Sequence, residues 1–178
     1  NVTATESRRV PLLPPPPGTP FCPGDGTLAT LCPCSNFGSA GRGCTNSESG
    51  SQGATLDSAG TVSPDTVILS ASGERLSSLS IFMQGDVQNA SGILFGDGLR
   101  CTAGHIKRLY VKSASGGVAS APASGDPSIT SRSAALGDPL LPGATRYYQT
   151  YYRDPDPSFC PTPAGGTFNV TSGQIITW

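Results

Sequence analysis

The chain has little charge and few of the residues that form helices well. Its 178 residues include 11 Lys and Arg against 12 Asp and Glu, with only two Lys, three Glu and one Met. Nucleic acids and anionic membrane surfaces are bound by clustered cations, which a formal net charge of −1 does not supply. No run of eighteen apolar residues occurs, so the sequence predicts no membrane span. We therefore expect a non-helical protein with no nucleic-acid partner.

Groups that commonly carry catalysis are also scarce. His105 is the single histidine, and it begins a strand pattern, where we expect its ring to face solvent. No Gly-x-Ser-x-Gly elbow occurs, so a serine nucleophile would lack its usual turn. Most Asp residues lie beside Gly or Pro, where carboxylates usually hydrogen-bond the backbone of a turn. The sequence therefore predicts no catalytic residues, and we expect the protein not to be an enzyme.

Glycine and proline are abundant instead, and six cysteines accompany them: Cys22, Cys32, Cys34, Cys44, Cys101 and Cys160. An even number in a lysine-poor chain of this kind is typical of disulfides made in an oxidising, extracellular space. A metal site is less favoured, because Cys32-Pro33-Cys34 lacks zinc-knuckle spacing and His105 is distant in sequence. We expect Cys101 to pair with Cys160, and the four early cysteines to pair among themselves. The chain opens at Asn1, so we also expect a secretion leader to have been removed.

Three regions of different composition follow one another. Residues 1–20 contain a run of prolines that excludes helix and favours an extended polyproline II arm. Residues 21–53 are rich in Cys and Gly but poor in apolar side chains, so their order must come from disulfides. From residue 54 onward, short segments with period-two alternation are separated by Gly, Asp, Ser or Pro. We predict an all-β fold: an arm (1–20), a disulfide-stapled segment (21–53) and a β-sandwich or jelly roll (54–178) of about eight or nine strands.

The expected strands are 66–70, 79–84, 93–95, 106–111, 129–131, 146–153 and the two parts of 167–178 on either side of Gly173. The strongest pattern is 146–153, which contains Tyr147, Tyr148, Tyr151 and Tyr152. Because side chains alternate along a strand, two of these tyrosines should face each way. We expect one pair in the core and the other available for an intermolecular contact or for stacking on a sugar.

A series of motifs occurs in a fixed order along the chain. They are Cys22-Pro-Gly-Asp-Gly, Cys32-Pro-Cys34-Ser-Asn, Gly41-Arg-Gly-Cys44-Thr-Asn, Phe95-Gly-Asp-Gly-Leu-Arg-Cys101, Tyr151-Tyr-Arg-Asp, Phe159-Cys160 and Phe168-Asn-Val-Thr…Ile176-Thr-Trp178. In this order they resemble a domain often found at the C-termini of secreted bacterial proteins of unassigned function. The resemblance covers roughly residues 21–178. It implies an extracellular β-domain and supplies no catalytic residues.

Two further groups are candidates for binding or modification. Calcium prefers several carboxylate and carbonyl oxygens, and the candidate ligands are Asp25, Asp97, Asp154 and Asp156, although no EF-hand spacing occurs. Asn1, Asn89 and Asn169 each begin an Asn-x-Ser/Thr sequon and are candidate glycosylation sites.

These observations favour a non-catalytic extracellular structural protein, which we expect to assemble with copies of itself at a cell surface or in a filament. An extended arm can lie along a strand edge or a groove of a neighbouring subunit, and an open head-to-tail contact produces a filament. The arm residues expected to make this contact are Val2, Val10, Leu12, Leu13, Pro14, Pro15, Pro16 and Pro17. The alternative is an adhesion module that binds carbohydrate or calcium.

Overall fold

β-Strands dominate the described part of the chain, which is residues 15–160 and 167–178 of a computed structural model. The strands are β1 (Gly18–Phe21), β2 (Thr55–Ala59), β3 (Ile68–Ser72), β4 (Leu79–Gly85), β5 (Val87–Phe95), β6 (Gly98–Ala103), β7 (Lys107–Ser113), β8 (Val118–Ala121), β9 (Thr145–Arg153), β10 (Phe168–Val170) and β11 (Gly173–Thr177). One short helix, α1 (Ile129–Ala135), lies between β8 and β9. The predicted all-β class is confirmed.

The strands form three antiparallel sheets. The largest has the order β1-β11-β9-β4-β7, with β10 also paired to β9. A second sheet has the order β2-β3-β8, and β5 and β6 form a separate hairpin. β9 is the central strand, because it pairs with β4, β10 and β11.

One face of the largest sheet, which we call the inner face, packs against the three-stranded sheet and α1. The buried apolar side chains between these layers include Leu56, Val67, Leu69, Ala71, Phe82, Leu109, Ala119, Ala121, Ile129, Tyr148 and Ile176. Burial of one large apolar side chain stabilises a fold by roughly 1.5–3 kcal/mol. This layer is therefore the main core, and the arrangement is sandwich-like, as the sequence predicted.

The opposite, outer face of the largest sheet carries the β5–β6 hairpin and the cysteine-rich segment. The link is Gln149 of β9, which is fully buried. Its Oε1 accepts hydrogen bonds from the amides of Cys101 and Thr102 at 2.7 and 2.9 Å. Its Nε2 donates to the carbonyls of Leu99 and Thr171 at 3.1 and 2.9 Å. One side chain thus joins the hairpin to the sheet beneath it.

The disulfide pairing expected from the sequence is wrong. Cys101 pairs with Cys22, and Cys160 pairs with Cys34, while Cys32–Cys44 is the one bond made within the early group. Cys22 directly follows the edge strand β1, and Gln149 holds Cys101 on the hairpin nearby, so their Cα atoms are 5.8 Å apart. The cysteine-rich segment is therefore not a self-contained unit but is bonded to both the hairpin and the loop that follows β9.

Two other expectations are also corrected. Residues 129–131 are predicted as a strand but form the start of α1, where the Asp65 carboxylate accepts hydrogen bonds from the amide and hydroxyl of Thr130 at 2.7 and 2.8 Å. The boundary of the arm at residue 20 falls inside β1, which pairs with β11 from Gly18 onward. The last residues assigned to the arm are therefore part of the largest sheet.

The disulfide pairing gives a direct prediction. Peptide mapping under non-reducing conditions is expected to recover the peptide of Cys101 joined to that of Cys22. Replacing both of these cysteines by Ala should lower the free energy of unfolding by about 4.5 kcal/mol, against about 3 kcal/mol for Cys32 and Cys44, because the first bond closes a much longer loop. Chemical denaturation measures both values. A Cys101–Cys160 peptide would contradict the pairing.

Candidate functional site

The four tyrosines of β9 alternate between the two faces of the largest sheet, as predicted. Tyr148 and Tyr152 are fully buried, whereas Tyr147 and Tyr151 are partly exposed. Tyr147 packs edge-on against Phe21 with ring centroids 5.7 Å apart. It thus packs against a second, smaller cluster of buried side chains under the hairpin, which includes Phe21, Leu99 and Cys101. Tyr151 is the other tyrosine on this face, and it lies outside that cluster.

Tyr148 and Tyr152 have structural roles. The Tyr148 hydroxyl donates to Gln84 Oε1 and accepts from Trp178 Nε1, both at 2.9 Å. The Tyr152 hydroxyl accepts from Asn46 Nδ2 at 2.9 Å. Burial raises the pKa of both tyrosines, so they act as neutral hydrogen-bonding groups inside the protein and are not available to a ligand.

Tyr151 is part of a partly exposed aromatic cluster on the outer face. Its ring centroid lies 5.7 Å from that of Phe95 and 6.1 Å from that of Phe168, and the latter two are 4.9 Å apart. All three contacts have edge-to-face geometry, which is favourable for aromatic pairs. The cluster joins β5, β9 and β10, which are distant in sequence.

Arginines border these rings. The Arg100 guanidinium carbon lies 4.8 Å from the Phe95 centroid, and that of Arg108 lies 5.9 Å from the Tyr151 centroid. Both distances permit cation–π attraction. Arg153 is the direct cross-strand partner of Phe168, so its side chain emerges on the same side of the sheet. We call this surface the aromatic–arginine face and define it as Phe95, Arg100, Arg108, Tyr151, Arg153 and Phe168.

Local sequence explains how this face forms. Phe95-Gly96-Asp97-Gly98 closes the β5–β6 hairpin, with Gly96 at a φ of 60°. A positive φ at the first central residue is characteristic of a tight type II′ hairpin turn and favours Gly. A Cβ at Gly96 would also clash with the Phe168 ring. The glycine thus allows the hairpin turn to lie directly against Phe168.

The acidic candidates are engaged within the fold. Asp25 and Asp156 are turn residues, and hydrogen bonds from the hydroxyls of Thr27 and Ser158 lower the pKa of each. Asp154 is buried, accepts from the amide and hydroxyl of Ser47, and lies 3.6 Å from Arg75. Within residues 15–160 and 167–178, no three Asp, Glu, His or Cys side chains are grouped so as to hold a metal ion.

Asp97 is the acid that is least well accommodated. It is 1% exposed, and its Oδ2 has no hydrogen-bond partner among the described residues. Burial, together with the nearby charge of Asp154, raises the pKa of Asp97 to about 6. Burial likewise raises the pKa of Glu74, although the hydroxyls of Ser78 and Ser80 donate to it.

The candidate glycosylation sites, His105 and the arm residues lie in different surroundings. Asn169 is fully buried and donates to the Thr45 carbonyl at 2.8 Å, so the folded protein cannot present it for glycosylation, and this expectation is wrong. Asn89 lies partly exposed on β5. The His105 ring is 88% exposed beside Asp86, as expected for a solvent-facing histidine. Asn1 and the arm residues Val2, Val10, Leu12, Leu13 and Pro14 lie outside the described residues.

Sequence reasoning identified Tyr151 but missed Phe95, Phe168 and the three arginines. The hairpin motif Phe95-Gly-Asp-Gly contained one usable signal, because a tight turn brings the start of β6, and thus Arg100, back towards Phe95. The contacts with β7, β9 and β10 depend on strand register, which the motif does not reveal.

Comparison with known proteins gave no match to a family model, to a curated protein or to a solved structure. The resemblance to a domain of secreted bacterial proteins therefore stays a prediction. Among the described helices, none is long and apolar enough to cross a membrane.

The buried Asp97 gives a prediction about pH. Because burial raises the pKa of Asp97 from 3.8 to about 6, ionised Asp97 destabilises the fold, and this cost is complete above about pH 6 and declines as the pH falls from 6 towards 3.8. Asp97→Asn should raise the free energy of unfolding by about 1 kcal/mol at neutral pH, the full shift being reduced by solvent screening. The gain should fall to about half near pH 5 and vanish below about pH 4, as measured by chemical denaturation.

The matched control is Asp57→Asn, which removes a carboxylate from an exposed position on β2. It should change stability little at either pH. An Asp97→Asn variant that is less stable than the parent at neutral pH would contradict the prediction, because the ionised carboxylate would then be stabilising the fold.

Proposed function

We propose that this chain is a non-catalytic extracellular structural subunit that assembles with copies of itself through its N-terminal arm. The three disulfides and the sandwich-like fold fit an extracellular protein. The proposal depends most on where the arm is attached to this fold.

The observation that carries the proposal is the anchoring of the arm at a sheet edge. Pro15 and Pro17 lie beside the loop Gly60–Ser63, with which they line a shallow surface pocket. The chain then enters β1, an edge strand whose one partner among the described strands is β11. The fourteen residues before Pro15, if extended as polyproline II, have a reach of about 43 Å, which is sufficient to contact a second subunit.

The edge strand itself limits how the arm can bind. Pro20 lies within β1 and has no amide hydrogen to donate, which is typical of edge strands. The free edge of β1 therefore offers an incomplete row of amide donors to a strand of a neighbouring subunit. Docking of the apolar arm residues Val10, Leu12 and Leu13 into a groove of the neighbour fits this better than extension of the sheet by strand pairing.

Deletion of residues 1–14 tests the proposal. It leaves β1 in place, so the truncated protein should fold with an unchanged melting temperature but remain monomeric, whereas the full chain should form oligomers or filaments. Sedimentation and negative-stain microscopy distinguish the two. A variant with a Gly/Ser arm of equal length is the control for chain length and should also be monomeric. A truncated protein that forms the same oligomer would refute the role of the arm.

A second candidate function is an adhesion module, and the aromatic–arginine face specifically favours it. Partly exposed aromatic rings are suited to contact with the apolar face of a sugar, and arginines supply directed hydrogen bonds. This function does not require the arm, and the two candidates are separable by variants in different parts of the chain.

A further inference from the structure

The arginines of the described chain divide into two groups. Four of them donate to protein oxygens: Arg42 to Gly53, Arg75 to Ser47, Arg132 to Leu109 and Arg146 to Asp138. The guanidinium groups of the other three have no hydrogen bond or ion pair within residues 15–160 and 167–178, and these residues are Arg100, Arg108 and Arg153. All three border the same aromatic cluster. In a chain with a net charge of −1, the guanidinium groups that lack any acceptor among the described residues are thus concentrated on one surface.

Arg100 is the most constrained of the three. Its Nε is buried and has no acceptor among the described residues, and burial lowers the pKa of its guanidinium. A buried donor without an acceptor is costly in free energy. Arg100 as a whole is only partly buried, so an anion bound beside it can still pair with the guanidinium charge.

Two of the guanidinium groups are held against aromatic rings. Arg100 lies over Phe95 and Arg108 over Tyr151. Stacking restricts the long side chains before any ligand arrives, so less conformational entropy is lost on binding. The planar groups retain N–H donors for carboxylate oxygens, which they can bind in pairs.

The face continues into an exposed apolar strip. Ile81 of β4 lies between Tyr151 of β9 and Val111 of β7 in the register of the largest sheet. Val111 is 56% exposed and Leu79 is 46% exposed. A ligand on this face would therefore meet cations and apolar surface side by side.

We propose that the aromatic–arginine face binds an acidic polysaccharide built from uronic acids. This inference rests on the second candidate function and names its ligand class. In a uronic acid the carboxylate is bonded directly to the pyranose ring, so a negative charge and an apolar C–H face lie next to each other. On the aromatic–arginine face the guanidinium groups, which can bind the carboxylate, likewise lie next to the aromatic rings, which can contact the C–H face. An acidic peptide, by contrast, carries its carboxylates at the ends of flexible side chains, away from a rigid apolar face.

Three polymers test this ligand class on the full chain. Polygalacturonate has both the sugar ring and the charge, its methyl ester keeps the ring without the charge, and poly-glutamate keeps the charge without the ring. Affinity measured by titration calorimetry should be highest for polygalacturonate and about tenfold or more weaker for each of the others. Binding should also weaken with added salt, since exposed charges are screened.

Variants locate the site. Arg108→Gln combined with Arg153→Gln should weaken polygalacturonate binding by about tenfold or more, because two charge-assisted contacts are lost. Tyr151→Ala should weaken it as well. Lys107→Gln is the matched control, because it removes a positive charge from the same strand as Arg108. The Lys107 side chain lies on the inner face of the sheet, as does that of its cross-strand partner Gln84. Phe37→Ala removes an exposed ring elsewhere. Both controls should bind within about twofold of the parent.

The outcomes separate this inference from the function on which it rests. Equal binding of the methyl ester would overturn the requirement for an acidic sugar while leaving a neutral-glycan adhesion module intact. Equal binding of poly-glutamate would overturn it in favour of an acidic protein partner. Absence of binding to all three polymers, or equal loss in the Lys107→Gln control, would reject the face as a glycan site. Melting temperatures of the variants check that each is folded.

Discussion

A single buried amide determines how the layers of this protein fit together. Among the described strands, the β5–β6 hairpin pairs with none of the largest sheet, so apart from the hydrogen bond from the Asp97 amide to the Phe168 carbonyl its attachment depends on side chains. Gln149 satisfies two amides of β6 and donates to the Leu99 and Thr171 carbonyls, and its burial makes each of those bonds difficult to replace by water. Because the hairpin covers only the part of the outer face around Gln149 and Tyr147, the position of this amide also decides which part stays open. The aromatic–arginine face lies at that border.

Much of the fold follows from the sequence, and the failures have physical causes. The alternation of the β9 tyrosines was predictable because period two is imposed by the strand itself. The disulfide pairing was not predictable, because Cys22 and Cys101 are 79 positions apart in sequence and only the packing of the hairpin on the sheet brings them together. The helix α1 has seven residues, too few for a helical period to be visible, and Asp65 binds its first turn from a distant loop. Local patterns predict local geometry, while register and layering decide the rest.

The same distinction applies to the candidate site. The exposure of Tyr151 was predictable from its own strand. Whether an arginine has an acceptor, by contrast, depends on residues that are distant in sequence. Nothing in the sequence separates Arg108 from Arg132, although the second donates to a carbonyl and the first has no acceptor among the described residues. The acids show the converse. Asp25 and Asp156 follow the expectation for turn residues, whereas Asp97, in an equally turn-like Gly-Asp-Gly sequence, is buried because the hairpin folds onto Phe168.

The bond between Cys22 and Cys101 has a mechanical consequence for a subunit that is held by its arm. Tension on the arm would first reach β1, and a pull directed away from the sheet edge would separate β1 from its neighbour β11 one hydrogen bond at a time. Such peeling stops after four residues, because Cys22 follows immediately and is covalently fixed to β6. The load then passes into the hairpin and through Gln149 into the central strand. The arm can therefore yield by a short length under force and absorb a pull while the sandwich behind it stays folded.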